Sequence, residues 1–266
     1  MKDFGLQLYS IRDRFTDDES IANAFKKMKE MGYSYAQTAY VYDFIPPERF
    51  AELAHDSGIT FCGTQCAWTN FTEDPDAMIE FNKALGTNNI GIGGMPSQPR
   101  KSLDALKSFI KDFNRLAEKF AKHGMRFTYH NHSFEFVKFD GKTIFDYLVE
   151  GLDPVNTSFV LDTYWVQHGG ADVRATIERL EGRIDILHLK DMEACHQYTL
   201  SDDKILQAPA ITEIGNGNIN FKDIIPLAEK CGVKYFVVED DRAPTVGSFE
   251  AVKTSADYLL KNFVGK

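Results

Sequence analysis

Short apolar runs rich in β-type residues alternate with longer stretches of helical periodicity along the whole chain. That alternation is the pattern of repeated βαβ units and a parallel sheet. The apolar runs read as strands over Phe4–Tyr9, Tyr35–Thr38, Ile59–Thr64, Asn89–Gly93, Met125–Asn131, Ser158–Asp162, Ile184–Leu189 and Tyr235–Glu239. Between them the periodicity predicts helices over Glu19–Met31, Pro46–Ser57, Pro75–Leu85, Ser102–His123, Ile144–Glu150, Val173–Leu180 and Phe221–Cys231, and a last one over Ser248–Phe263. Gly32, Gly58 and Gly124 stand where helices should stop, and Pro46-Pro47 suits a first helical turn. Eight strand–helix pairs are what a closed barrel needs, and more than an open doubly wound sheet usually has. The expected fold is therefore a single (β/α)8 TIM barrel over residues 1–266. The one long irregular stretch, Asp191 to about Asn220, follows the seventh strand. A loop of that length in a compact domain is usually functional, and here it would lie on the active face.

Parallel barrel strands are buried on both faces, so a polar residue at a strand's carboxyl end needs a reason, and in barrels the default reason is the active site. Strand five runs into Tyr129-His130-Asn131-His132-Ser133-Phe134-Glu135, and strand six ends in Leu161-Asp162-Thr163-Tyr164-Trp165. Strand seven ends in Leu187-His188-Leu189-Lys190-Asp191, and strand eight in Val237-Val238-Glu239-Asp240-Asp241. Glu135, Asp162, His188 and Glu239 are expected to converge on one rim. Three carboxylates and an imidazole suit Mn²⁺, Mg²⁺ or Co²⁺ and accept Zn²⁺. Each alone has a bland reading, since a strand-end Asp often caps a helix or turn. Four on consecutive strands, at the same end, are harder to explain that way.

Other polar groups point to the same rim: Gln7, Tyr9, Gln37, Gln65, Trp68, His130, His132, His168, Lys190, Asp191 and Glu213. His132, His168 and Lys190 are candidates for holding substrate oxygens, and Tyr9, Trp68 and Trp165 for lining the substrate site. A salt bridge explains Lys190 and Asp191 equally well, and Gln37 and Gln65 could satisfy backbone groups. Gly91-Ile92-Gly93-Gly94 lacks the spacing of a dinucleotide fingerprint and reads as a tight turn. Gly215-Asn216-Gly217 could cradle an anion with its N–H groups, although a plain turn is the simpler reading.

The formal net charge of −9 argues against nucleic acid and anionic membrane surfaces as partners. No apolar run reaches 18 residues, so no membrane span is expected, and the first six residues lack the features of a signal peptide. Cys62, Cys66, Cys195 and Cys231 are too sparse for a disulfide framework, and Cys62 and Cys66 lack the second half of a zinc site. A reducing cytoplasm is the simplest location. The 21 Phe and 11 Tyr could fill a core or line a sugar pocket.

The motifs also carry a resemblance. Gln7-Leu8-Tyr9-Ser10, the Glu after strand five, Leu161-Asp162-Thr163, His188-Leu189-Lys190-Asp191, Val238-Glu239-Asp240 and Gly215-x-Gly217-x-Ile219-x-Phe221 resemble the xylose isomerase-like barrel superfamily, and within it the sugar phosphate isomerase/epimerase branch. The resemblance spans essentially the whole chain. It implies one divalent ion, often Mn²⁺, held by Glu135, Asp162, His188 and Glu239, with Glu135 and Glu239 doubling as acid and base. Proton transfer next to the carbonyl of a sugar or keto-sugar would pass through a metal-stabilised enediolate. The partner would be a small molecule, and a homo-oligomer is allowed. The alternative on the same scaffold is a dehydratase or lyase, such as an inosose or dehydroshikimate dehydratase, which expels a β-leaving group. A metallonuclease of the same superfamily is disfavoured by the net charge, and a non-catalytic sugar-binding barrel has little need of a metal with two bases. Gln37 stands where family members often carry Glu, Cys66 where they carry His, and Trp165 where ketohexose epimerases place a substrate-binding His. These departures leave room for a keto-glycoside, an inositol-type ring or another polyol.

Overall fold

Each expected strand forms in the computed structural model, which describes residues 1–40, 42, 44–194, 200–201, 204–205 and 209–265. The strands are β1 (Gly5–Gln7), β2 (Tyr35–Thr38), β3 (Thr60–Thr64), β4 (Asn89–Ile92), β5 (Arg126–His130), β6 (Thr157–Asp162), β7 (Ile184–Leu189) and β8 (Tyr235–Val238). They pair in parallel in the spatial order β3-β2-β1-β8-β7-β6-β5-β4. The seam between β3 and β4 is closed by Cys66, whose N–H donates to Gly91 O at 2.9 Å and whose carbonyl accepts from Gly93 N at 3.0 Å. The ring is thus the expected (β/α)8 barrel.

The helices are α1 (Asp18–Glu30), α2 (Pro47–Asp56), α3 (Trp68–Glu73), α4 (Pro75–Leu85), α5 (Leu103–Ala121), α6 (Ile144–Gly151), α7 (Thr163–His168), α8 (Val173–Arg179), α9 (Phe221–Lys230), α10 (Ala243–Val246) and α11 (Ser248–Asn262). Their starts follow ordinary capping chemistry: Asp17 and Ser20 form a capping box on α1, and Ser102 accepts from Ala105 N on α5. Strand one is shorter than its apolar run. Gln7 turns its side chain back to accept from Tyr9 N, and a 3₁₀ turn begins at Leu8. Within the irregular stretch after β7, Asp191–Glu193 pairs antiparallel with Ala210–Thr212.

Side-chain alternation divides each strand between two cores. Tyr35, Cys62, Val160, Ile186 and Val237 form a small buried cluster inside the barrel. Their alternates, among them Phe127, Tyr129, Phe159, Leu161, Leu187 and Leu189, join the larger core under the helices. Most of the aromatics belong to this outer shell; Phe113, for example, stacks on Phe127 with centroids 4.0 Å apart. Two residues beyond the inner cluster, the same inward face continues as Gln37, Asp162, His188 and Glu239, all buried. Cys62, Cys66 and Cys231 are free and buried, while Cys195 lies outside the described residues. Among the described residues no helix is long and apolar enough to cross a membrane.

Candidate metal centre

A cavity of about 580 Å³ opens at the carboxyl ends of the strands, with Tyr9, Gln65, His130, His132, Trp165, Lys190, Glu239 and Asp241 in its wall. At its floor His130, Asp162, His188 and Glu239, one from each of four consecutive strand ends, place their ligand atoms within 4.8 Å of one another. Three of these are expected ligands; the fourth, His130, takes the place expected for Glu135.

The structure turns Glu135 away from this group. Its Oε1 accepts from the Tyr129 hydroxyl at 2.6 Å and its Oε2 from the His132 N–H at 2.9 Å. Tyr129 occupies the outward face of β5, so the carboxylate is drawn into the shell and does not line the cavity. Burial pushes the Glu135 carboxyl up to about 8, with the two hydrogen bonds pulling partly back. His130, on the inward face, packs its ring against His188 with centroids 4.9 Å apart.

The chemistry of the donor set fits a divalent cation. His130 Nδ1 lies 3.0 Å from Gly93 O. A carbonyl can only accept, so Nδ1 carries a hydrogen, and in the neutral ring Nε2 holds the lone pair. That Nε2 is buried without a hydrogen-bond partner, as is Asp162 Oδ2, 3.6 Å away. The other oxygen, Asp162 Oδ1, accepts from Trp165 N at 2.9 Å and caps α7. One oxygen of Asp162 thus caps α7, and the other faces the remaining members of the cluster. Two bare lone pairs facing each other in a dry site ask for a cation between them. His188 Nδ1 stands 3.7 Å from Asp162 Oδ2 and 3.0 Å from Glu239 Oε2, and its Nε2 lies 2.6 Å from Gln37 Oε1.

Lys190 supplies the built-in positive charge. Its Nζ lies 2.8 Å from Asp241 Oδ2, 3.2 Å from Glu239 Oε2 and 3.8 Å from Asp162 Oδ2, with only 1% of the side chain exposed. Burial opposes ionisation of Glu239, Asp162 and His188. Neighbouring charges and hydrogen bonds outweigh it there, holding Glu239 well below the usual carboxylate range, Asp162 at about 2 and His188 up at about 9. The Thr163 hydroxyl accepts from Lys190 N at 3.1 Å and sits 2.8 Å from Lys190 O, which ties the end of β6 to that of β7.

Of the other candidates, Tyr9, His132, Trp165 and Lys190 line the cavity. Burial, then the neighbouring His130, pushes His132 down to about 3, so its imidazole is neutral. Trp165 lies beside it, with ring centroids 5.1 Å apart. Trp68 does not reach the cavity: it starts α3, and its ring packs 4.7 Å from Phe109 in the outer shell. His168 ends α7, exposed and stacked on Tyr164, outside the cavity wall. Glu213 pairs with Arg242 at 2.8 Å. The Gly215–Gly217 cradle does bind an anion, the chain's own Asp191. Its carboxylate accepts from the N–H groups of Met192, Gly215, Gly217 and Ile219 at 2.8 to 3.1 Å.

A family model for the xylose isomerase-like TIM barrel matches residues 25–262. An inosose dehydratase from Geobacillus thermodenitrificans is 27% identical over 157 residues, covering 56% of this chain and 52% of that protein. In that match the chain spans about half the length of the curated relative. Among solved structures, a sugar phosphate isomerase/epimerase from Parabacteroides distasonis superposes with a TM-score of 0.75 at 24% identity, covering 97% of this chain and 93% of that one. A probable 3-DHS dehydratase from Bacillus anthracis superposes with a TM-score of 0.74 at 15% identity, covering 99% and 100%. These structures share the fold. The family model spans nearly the whole barrel, and the chain belongs to the xylose isomerase-like TIM barrel family.

Proposed function

We propose that the chain is a divalent-metal-dependent dehydratase acting on a small keto-polyol, with the metal, Mn²⁺ in the first instance, held by His130, Asp162, His188 and Glu239. The observation that carries this reading is the position of Glu135. Epimerisation by two glutamates needs a carboxylate on each face of the substrate, and here Glu239 reaches the cavity while Glu135 is held in the shell by Tyr129 and His132. Elimination needs one base and one proton donor. The inosose dehydratase and probable 3-DHS dehydratase among the similar proteins support the same choice.

When bound, the ion would polarise the substrate carbonyl and stabilise the charge that builds on its oxygen. Both hydrogen bonds of Glu239 fall on Oε2, which leaves Oε1 to take the proton from the carbon beside the carbonyl. The C–H electron pair becomes the new C=C bond as the C–O bond at the next carbon breaks. Lys190 protonates the departing hydroxyl, which leaves as water, and Glu239, 3.2 Å away, returns its proton to Lys190. Neutral His132 is placed to bond a substrate hydroxyl, and Tyr9 and Trp165 offer faces to the ring's C–H groups. Glu135 then acts as a positioning residue for His132.

The test is a panel of keto-inositols and related keto-polyols incubated with MnCl₂ in D₂O. Loss of water with a rise in conjugated-carbonyl absorbance is expected. Deuterium next to the carbonyl without loss of water would replace the reading with an isomerase or epimerase, the activity named for the Parabacteroides structure. No change in any substrate would sink both.

A further inference from the structure

Three glutamines at the ends of β1, β2 and β3 form a chain with a fixed direction. It starts at Tyr9 N, which donates to Gln7 Oε1 at 3.2 Å. A backbone N–H can only donate, so that atom of Gln7 must be the oxygen and the other end must be the NH₂ group. The Gln7 NH₂ lies 2.7 Å from one atom of the Gln65 amide and 3.2 Å from one atom of the Gln37 amide, so both of those atoms are oxygens. Gln37 Oε1 also lies 2.6 Å from His188 Nε2. An amide oxygen can only accept, so Nε2 keeps a hydrogen. Nδ1, which donates to Glu239 Oε2 at 3.0 Å while His188 is charged, is then the nitrogen that bares a lone pair when a proton is given up, and it is the atom that faces Asp162 and Glu239. Gln7, Gln37 and His188 are fully buried, so no water competes for these bonds.

We propose that Gln7 is a positioning residue that, through Gln37, sets the tautomer of His188 and so presents Nδ1 to the metal. The inference rests on the metal-enzyme reading above. His130 reaches the same end differently, with the Gly93 carbonyl fixing its tautomer directly. A carbonyl needs no orienting, whereas a side-chain amide can flip by half a turn and reverse its polarity. Gln7 removes that freedom. The same polarity leaves Gln37 Nε2 and Gln65 Nε2 as buried donors without a partner, and Gln65 stands in the cavity wall.

The test reads the tautomer directly, from the ¹⁵N shifts of histidine-labelled, metal-free protein at a pH above the loss of the His188 proton, with His188→Gln assigning the signal. The expected result is Nε2–H in the wild type and a mixture or a switch to Nδ1–H in Gln7→Leu. By titration calorimetry, Gln7→Leu and Gln37→Leu should bind Zn²⁺ about 10- to 100-fold more weakly than wild type. Gln37→Glu still accepts from Nε2–H and should keep wild-type affinity. A purely structural role would lower the Tm of Gln37→Leu and Gln37→Glu alike and move neither readout. Nδ1–H in the wild type, or a Gln7→Leu variant with unchanged tautomer and Zn²⁺ affinity, overturns the proposal. If Gln7→Leu does not fold, the Gln37 pair decides. A wild type that binds no metal overturns the metal-enzyme reading instead, and the metal-free tautomer still judges the glutamine chain.

Discussion

Glu135 and His130 lie five positions apart at the end of β5, and their roles separate cleanly by substitution. Glu239→Gln removes the base and should cut turnover by about 10²- to 10⁴-fold. Glu135→Gln keeps an acceptor for His132 N–H and a partner for the Tyr129 hydroxyl, and should cost less than about tenfold, since an amide replaces a carboxyl in the same hydrogen bonds. Equal loss in the two variants, measured as kcat on the same keto-polyol, would restore the two-glutamate mechanism. Glu135 also predicts a pH dependence of stability. Its carboxyl is raised from 4.5 to about 8 by burial, so the unfolded chain gives up this proton first as pH rises. Stability is full below the unfolded value and falls between the two values, by up to about 1.4 kcal/mol per pH unit. Urea unfolding at about pH 5 and about pH 8 should show the wild type losing ground to Glu135→Gln; parallel behaviour would show that Glu135 does not titrate this way. His130 was legible in principle. Asp162, His188 and Glu239 each lie two residues past an inner-cluster position, and strand parity puts His130, not Tyr129, on that same face. Glu135 stands beyond the strand, where parity no longer decides direction.

At the scale of elements, the strands and long helices follow their periodicity, and what could not be read is the short structure that follows β3 and β6. Helices α3 and α7 have six residues each, too few for a periodic signal. Yet α3 carries Trp68 into the outer shell and α7 carries His168 out of the cavity wall. The Asp191 clamp was half legible: the glycine turn was visible as an anion cradle, but not that its anion comes from the same chain. Gly217 has to be glycine at this point, since a Cβ would stand 2.4 Å from Asp191 Oδ1. Asp191→Ala leaves four N–H groups without their acceptor and should destabilise by about 3 kcal/mol or more. Hydrogen exchange should locate the loss, with the amides of Gly215, Gly217 and Ile219 exchanging faster while those of β7 keep their protection. Unchanged exchange in that turn would mean that the clamp does not hold it.

At the scale of the whole molecule, the four proposed ligands come from the ends of β5, β6, β7 and β8, so one ion would bind half the barrel's circumference together. The floor of the cavity is also unbalanced without it, since the three carboxylates Asp162, Glu239 and Asp241 face two cations, the Lys190 ammonium and the His188 imidazolium. An ion that binds the folded barrel and not the unfolded chain stabilises it by mass action, by about 2.7 kcal/mol at 100 times the Kd. In a chain of this size each kcal/mol moves Tm by about 2–4 °C, so saturating Mn²⁺ should raise Tm by about 5–10 °C, and EDTA should reverse the rise. The same measurement tests the ligand set. His130→Gln and Asp162→Asn should abolish most of the rise, because each removes a bare lone pair from the floor. Glu135→Gln should keep it, because that carboxylate is occupied by Tyr129 and His132 in the shell. A rise that survives His130→Gln and disappears in Glu135→Gln would return Glu135 to the metal and imply that the turn after β5 rearranges when the ion binds. No rise with Mn²⁺, Mg²⁺, Co²⁺ or Zn²⁺ would remove the metal from the site, and Lys190 and His188 would then be the cations that these carboxylates were built to hold.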